Sequence, residues 1–150
     1  MPIQQLQRIL TWLGFIPFLF FAMVYLVTDG VLGITPGSAF IYYAVYTAVI
    51  LSFMAGTHWG LVLSAQLDDA WKTLLWSNLI AIVAWIGIAM PFKVTGMSLV
   101  LVGFLLQLSL DYGFTRNGII SADYFRLRLV MTSCVVMSMV LVILRLAEVI

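Results

Sequence analysis

Apolar runs long enough to cross a lipid bilayer recur five times along this chain, at about Ile9 to Val27, Ala39 to Ala65, Trp71 to Met90, Val94 to Leu110 and Tyr124 to Leu144. A spanning helix needs about 20 mostly apolar residues, and backbone surrounded by lipid has to satisfy its own hydrogen bonds. The runs lack the two-residue alternation of barrel strands. The expected fold is therefore all-α, a single transmembrane domain over residues 1–150 built as a bundle of five helices. Composition agrees, since 64% of the residues are hydrophobic and 9% are charged, against about 25% charged in soluble domains. A net charge of +1 provides no basic surface, so the lipid bilayer, not nucleic acid, is the expected partner.

Polar and helix-breaking residues separate the runs. Thr28-Asp29-Gly30 and Gly33 to Gly37 form the first loop, with Ser38 as the expected cap of the second helix; Gln66 to Ala70 form the second, Met90-Pro91 opens the third, and Asp111 to Asp123 is the fourth. The first run lacks a small-residue cleavage site and reads as an uncleaved helix. One side of the membrane receives Arg8, Lys72, Arg116, Arg126 and Arg128, and the other Lys93 and Arg145. Because basic loops stay in the cytoplasm, the N-terminus is expected there and the C-terminus outside. Tyr42, Tyr43 and Tyr46 at one level, and Trp71 and Trp76 at the other, fit interfacial aromatic belts. Pro17, inside the first span, removes a backbone donor and is expected to bend the helix against the second.

The second span carries Ala44, Ala48, Ser52, Gly56, Gly60 and Ser64, all small and spaced by four. Small residues at this spacing let helix backbones approach closely in lipid, which marks the stripe as a packing ridge. At about 100° per residue, His58, the only histidine, lies roughly opposite Gly56 and Gly60. A helix that needs partners on two faces in so small a chain favours a homo-oligomer, a dimer.

Polar groups within spans are costly and face an interior or a wet cavity. At about 1.5 Å per residue, His58 and Asn78 fall about 10 Å below the cytoplasmic boundary with Gln107 near the same level, and Asp111, one turn beyond Gln107, lies at the boundary. Arg128 shares a helix face with Tyr124 and Thr132, and Asp111 is the carboxylate at its level. The expected site is a cytoplasm-facing pocket lined by His58, Asn78, Gln107, Asp111 and Arg128, with Tyr124 and Trp59 beside it. For each member a structural role competes: a satisfied histidine, an interfacial ion pair, a snorkelling Arg126. Arg145 and Glu148 read as a solvated pair, and Cys134 as a small apolar residue.

One histidine and one cysteine cannot build a mononuclear zinc or iron site. Met54, one turn before His58, leaves a His/Met pair for haem or soft copper as a minor alternative. No Gly-x-x-x-x-Gly-Lys loop and no Gly-x-Ser-x-Gly elbow occurs, so catalysis is the less favoured class.

The motifs Leu13-Gly14-x-x-Pro17, Phe53-Met-Ala-Gly56-Thr-His58-Trp59-Gly60 and Tyr124-x-x-Leu127-Arg128-x-x-x-Thr132 resemble the DUF3429 family of small bacterial inner-membrane proteins, which includes mitochondrial transmembrane protein 69. The resemblance runs from about Leu10 to Leu144. Ala55 stands where the family more often has glycine, and arginine in relatives at position 58 speaks for a hydrogen-bonding or cationic role over a metal ligand. The resemblance implies five spans and an inner bacterial or mitochondrial membrane, and no activity.

The resulting expectation is a membrane protein that binds or transports a small anionic or polar ligand, such as a lipid headgroup, quinone or metabolite, held by Arg128 and His58, with His58 and Asp111 exchanging protons. The alternatives are an assembly subunit docking through the Ala44 to Ser64 stripe, and a haem- or quinone-linked redox protein. No particular cofactor is implied.

Overall fold

The computed structural model describes residues 2–27, 29–64 and 70–148. Five helices follow one another: α1 (Ile3–Val27), α2 (Pro36–Ser64), α3 (Ala70–Ala89), α4 (Lys93–Arg116) and α5 (Ala122–Glu148). Each is long and apolar enough to span a membrane. Among the described residues the only extended pairing is one bridge, Val31 with Ile34. It closes a tight turn in which Leu32 and Gly33 both have positive φ, 53° and 78°, the requirement of a type I′ turn. Apart from Ala70, the loop expected at Gln66 to Ala70 lies outside the described residues, as does Thr28.

The start of α2 corrects the expected cap. Pro36 occupies the first helical position, where its missing N–H costs nothing, and Thr35 is the cap. The Ser38 amide donates to Thr35 Oγ1 at 3.3 Å while the Thr35 amide donates to Ser38 Oγ at 3.0 Å, a reciprocal capping box with Ser38 in the helix. The fourth loop is also shorter than expected. Helix α4 continues through Asp111 to Arg116, and Thr115 Oγ1 donates back to the Asp111 carbonyl at 2.8 Å.

The helices form a ring closed by α1 against α5, each packing on its chain neighbours, and α2 and α4 meet across it. Half of the most apolar window of α2 is buried but 17% of that of α1, so α2 is the central helix and α1 a peripheral wall. Phe18 joins the two, edge-on to Tyr43 and to Tyr46 with ring centroids 5.9 and 5.0 Å apart. Helix α1 runs unbroken through Pro17. In the turn that the proline weakens, Tyr46 donates its hydroxyl to the Gly14 carbonyl at 2.8 Å. Tyr43, expected in an interfacial belt, is instead fully buried and shares a 2.7 Å hydrogen bond with Ser138 of α5.

The close helix contacts fall at glycines other than those of the α2 stripe. A Cβ on Gly87 would collide with Val100 and the Gly96 carbonyl, and one on Gly96 would meet the Gly87 carbonyl, so α3 and α4 touch backbone to backbone beside their turn. Gly103 admits the Leu51 side chain of α2, whose Cδ2 lies 2.6 Å from where a Cβ would stand. By contrast, the small-residue stripe divides within the chain. Ala44 and Ala48 are buried and Ser52 is half-buried, while Gly56, Gly60 and Ser64 are exposed. A Cβ on Gly56 or Gly60 would meet nothing within 4 Å.

Candidate functional site

The polar residues assemble because α2 and α4 cross where each presents one to the other. His58 is fully buried on the face of α2 opposite the exposed Gly56 and Gly60. Gln107 and Asp111, one turn apart on α4 and 1% exposed each, meet it there. Asp111 Oδ1 lies 2.9 Å from His58 Nε2, and its Oδ2 accepts from Arg128 Nε at 2.7 Å. The edge-to-face ring of Phe114, with centroids 5.1 Å apart, covers the imidazole. One carboxylate thus joins α2, α4 and α5.

His58 Nε2 faces two partners that make opposite demands. The Gln107 amide nitrogen lies 3.1 Å from it and also donates to the Met54 carbonyl at 3.1 Å. With its proton on Nε2 the ring donates to Asp111; with the proton on Nδ1 it accepts from Gln107. A hydrogen bond to a charged group contributes about 1.5–3 kcal/mol and a neutral one about 0.5–1.5, so the carboxylate wins and Nε2 carries the proton. Three buried side-chain atoms among the described residues then have no hydrogen-bond partner, and all belong to this network: His58 Nδ1, Gln107 Oε1 and Arg128 Nη2.

A cavity of about 500 Å³ adjoins the network on the side of α1. It lies between the first half of α1, the second half of α2 and the first half of α5, with Phe104 of α4 behind. Gln7, Thr11, Thr57, Tyr124, Arg128 and Thr132 make its polar lining, and the remaining walls are apolar or aromatic. Arg128, whose side chain is 11% exposed, belongs to both the cavity wall and the buried network.

The expected residues therefore divide. His58, Gln107, Asp111 and Arg128 meet, and Tyr124 lines the cavity beside Arg128. His58, Gln107 and Asp111 lie behind the cavity wall, so the polar cluster and the open space are neighbours joined by Arg128. Asn78 does not join them: it is exposed on α3 and donates to the Leu74 carbonyl of its own helix at 2.9 Å. Trp59 is 44% exposed and stands outside the cavity. On the same helix Ser77, next to Asn78, makes the inward contact, donating to the Ala55 carbonyl of α2 at 2.7 Å. Sequence reasoning missed the contribution of α1, although Gln7, Thr11, Gly14 and Phe18 follow helical spacing along one face. Phe114, within the expected loop from Asp111 to Asp123, lies on α4 and reaches His58 only because the helix continues. Among the described residues no group of three or more His, Cys, Asp or Glu side chains is placed to hold a metal ion. Arg126 with Asp123 and Arg145 with Glu148 form exposed pairs at 3.6 and 3.8 Å.

Five membrane-length helices around a buried histidine–carboxylate–arginine network define a polytopic helical membrane protein. The chain matches, over residues 3–144, the sequence model of a family described as "Protein of unknown function (DUF3429)", and it belongs to that family. No curated protein and no solved structure matches it.

Proposed function

We propose that this protein binds a small anionic or hydrogen-bonding ligand at the Arg128 end of the cavity between α1, α2 and α5. The observation that carries the reading is the dual position of Arg128. Its Nε is committed to Asp111, its Nη2 is buried without a partner, and the residue lines the cavity. A guanidinium has five donors, and in a low-dielectric setting an unmatched one is costly. An anion at this wall pairs with the guanidinium through the 11% of the Arg128 side chain that is exposed, while the Asp111–His58–Gln107 contacts hold the group in place.

The distribution of basic residues supports a cytoplasmic opening, since Arg8, Lys72, Arg116 and Arg126 lie at the same end of the bundle as Arg128. An inner bacterial or mitochondrial membrane is the location this reading adopts. Binding is the step the geometry supports. Transport requires the far side to open, where Phe18 and the Tyr43–Ser138 bond close the bundle. The test is thermal stabilisation of the protein in phosphatidylcholine nanodiscs by inorganic phosphate, acetate and longer carboxylates. Stabilisation that Arg128→Gln removes supports the reading; no stabilisation by any of them, or stabilisation unaffected by Arg128→Gln, contradicts it.

A second reading rests on Gly56 and Gly60, which face outward with nothing near them, and on the exposed amide of Asn78. A stripe of this kind supports self-association or docking on a larger membrane complex. Crosslinking that captures a dimer in the wild type and not in Gly56→Leu or Gly60→Leu is the expected result; a monomer in every case contradicts it.

A further inference from the structure

We infer that the ligand of this cavity is a single-chain anionic amphiphile, its acidic head at Arg128 and its hydrocarbon chain lying along the trough towards the middle of the membrane. This deepens the reading of an anion site at Arg128 and rests on it.

Depth is the first argument. The lining residues of α5 run from Tyr124 to Val135 and those of α1 from Gln7 to Phe18. At about 1.5 Å per residue each series covers about 16 Å, close to half of a hydrocarbon core about 30 Å thick. Helix α5, with 27 residues, is about 40 Å long and, centred on that core, overshoots it by about 5 Å at each end. Arg128 then sits about 4 Å inside the core edge and Val135 near the midplane. The cavity is one leaflet deep.

Polarity is graded along that depth. Tyr124, Gln7, Thr11, Thr57 and Arg128, with the apolar Leu10 and Leu127 among them, lie towards the end where α1 and α5 begin, and the deeper half is apolar apart from Thr132, with Phe15, Phe18, Ile50, Met131 and Val135. A free inorganic anion leaves this apolar half unused, whereas a lipid-like chain fills it. A volume of about 500 Å³ over about 16 Å gives a mean cross-section of about 30 Å², room for an extended hydrocarbon chain. The deep end is closed one turn beyond Val135 by the bond between Ser138 and Tyr43. The wall facing α5 is α1, the least buried helix. A carboxylate or a phosphate head meets the charge requirement equally.

The experiment compares acetate, octanoate, laurate, dodecyl phosphate and dodecanol as ligands of the full chain in phosphatidylcholine nanodiscs, read by thermal stabilisation and by native mass spectrometry. Laurate or dodecyl phosphate is expected to bind at least tenfold more tightly than acetate, and dodecanol at least tenfold more weakly than the better of the two. The tighter of the two acids identifies the head, and either result supports the inference. Arg128→Gln removes binding of all the acids. Gly14→Leu, on the trough wall where a Cβ has ordinary contact with Tyr46 at 4.0 Å, and Ile50→Phe, at a half-buried position deeper in the trough, are expected to weaken laurate tenfold and acetate less than twofold. Arg128-dependent binding that is indifferent to chain length and to both trough variants overturns the chain assignment and leaves the anion site standing. Binding of dodecanol as tight as laurate overturns the charge assignment. If no acid binds in an Arg128-dependent way, the underlying reading fails with it.

Discussion

Arg128 of α5 donates to Asp111 of α4 across 2.7 Å, and the second oxygen of the same carboxylate holds His58 of α2 at 2.9 Å. Removing the carboxylate charge leaves the guanidinium, whose side chain is 11% exposed, without its counter-charge. Breaking a buried pair by deleting one partner costs about 3–5 kcal/mol. Asp111→Asn is therefore expected to destabilise the protein by about 3 kcal/mol in reversible unfolding, and Asp111→Leu with Arg128→Met by less than the sum of the single changes. Additive losses would show that the two residues act independently.

The glycines separate sharply. Gly87→Ala and Gly96→Ala each drive a Cβ into the facing backbone of the α3–α4 contact, where neither side can yield as a flexible side chain would. Each is expected to cost at least about 1–3 kcal/mol or to abolish folding. Gly56→Ala and Gly60→Ala meet open space and gain helix propensity, so the monomer keeps or slightly improves its stability. Unfolding titrations of the four variants decide the matter, and equal destabilisation in both pairs would contradict the packing described.

Tyr43 and Ser138 share the one side-chain hydrogen bond described directly between α2 and α5. Hydrogen bonds between membrane helices average about 0.6 kcal/mol. Tyr43→Phe preserves the ring contact with Phe18 and is expected to cost about 0.5–1.5 kcal/mol, with Ser138→Ala adding little once the hydroxyl partner is gone. A full additional loss in the double variant would assign the hydroxyl another role.

At the membrane surface the cap of α2 depends on Thr35. Thr35→Ala removes the acceptor of the Ser38 amide and is expected to cost about 1 kcal/mol, with amide exchange of residues 36–39 accelerated. Ser38→Ala is the milder change, because the Thr35 hydroxyl still reaches the Ser38 amide. The reverse order would return the cap to Ser38.

Much of the fold was legible because membrane spans advertise themselves by length and hydrophobicity, and all five appeared within a few residues of their apolar runs. The end of α4 was hidden because the polar residues after Leu110 look like loop, yet Asp111 is buried by its partners and the helix continues beneath it. In the site, His58, Gln107, Asp111 and Arg128 were recoverable from depth alone, since polar groups in a span seek one another. Asn78 shared that depth but not the direction: one residue, a turn of about 100°, separates it from the inward Ser77. The stripe of small residues on α2 could not reveal which of its members face a neighbour, because smallness permits close packing without requiring it. The cavity was invisible for a related reason. It is a gap between three helices, and only the packing of α1 defines it.

The central claim is that Arg128, Asp111 and His58 form one charge-coupled unit that senses an anion at Arg128. The chain has a single histidine, so ring-¹⁵N-histidine labelling gives an NMR spectrum of that unit alone. A ring with a proton on Nε2 is expected, with both nitrogen signals shifted by Asp111→Asn, by Arg128→Gln and by laurate added to the wild type in nanodiscs. Ring signals that stay in place through all three changes would contradict the claim.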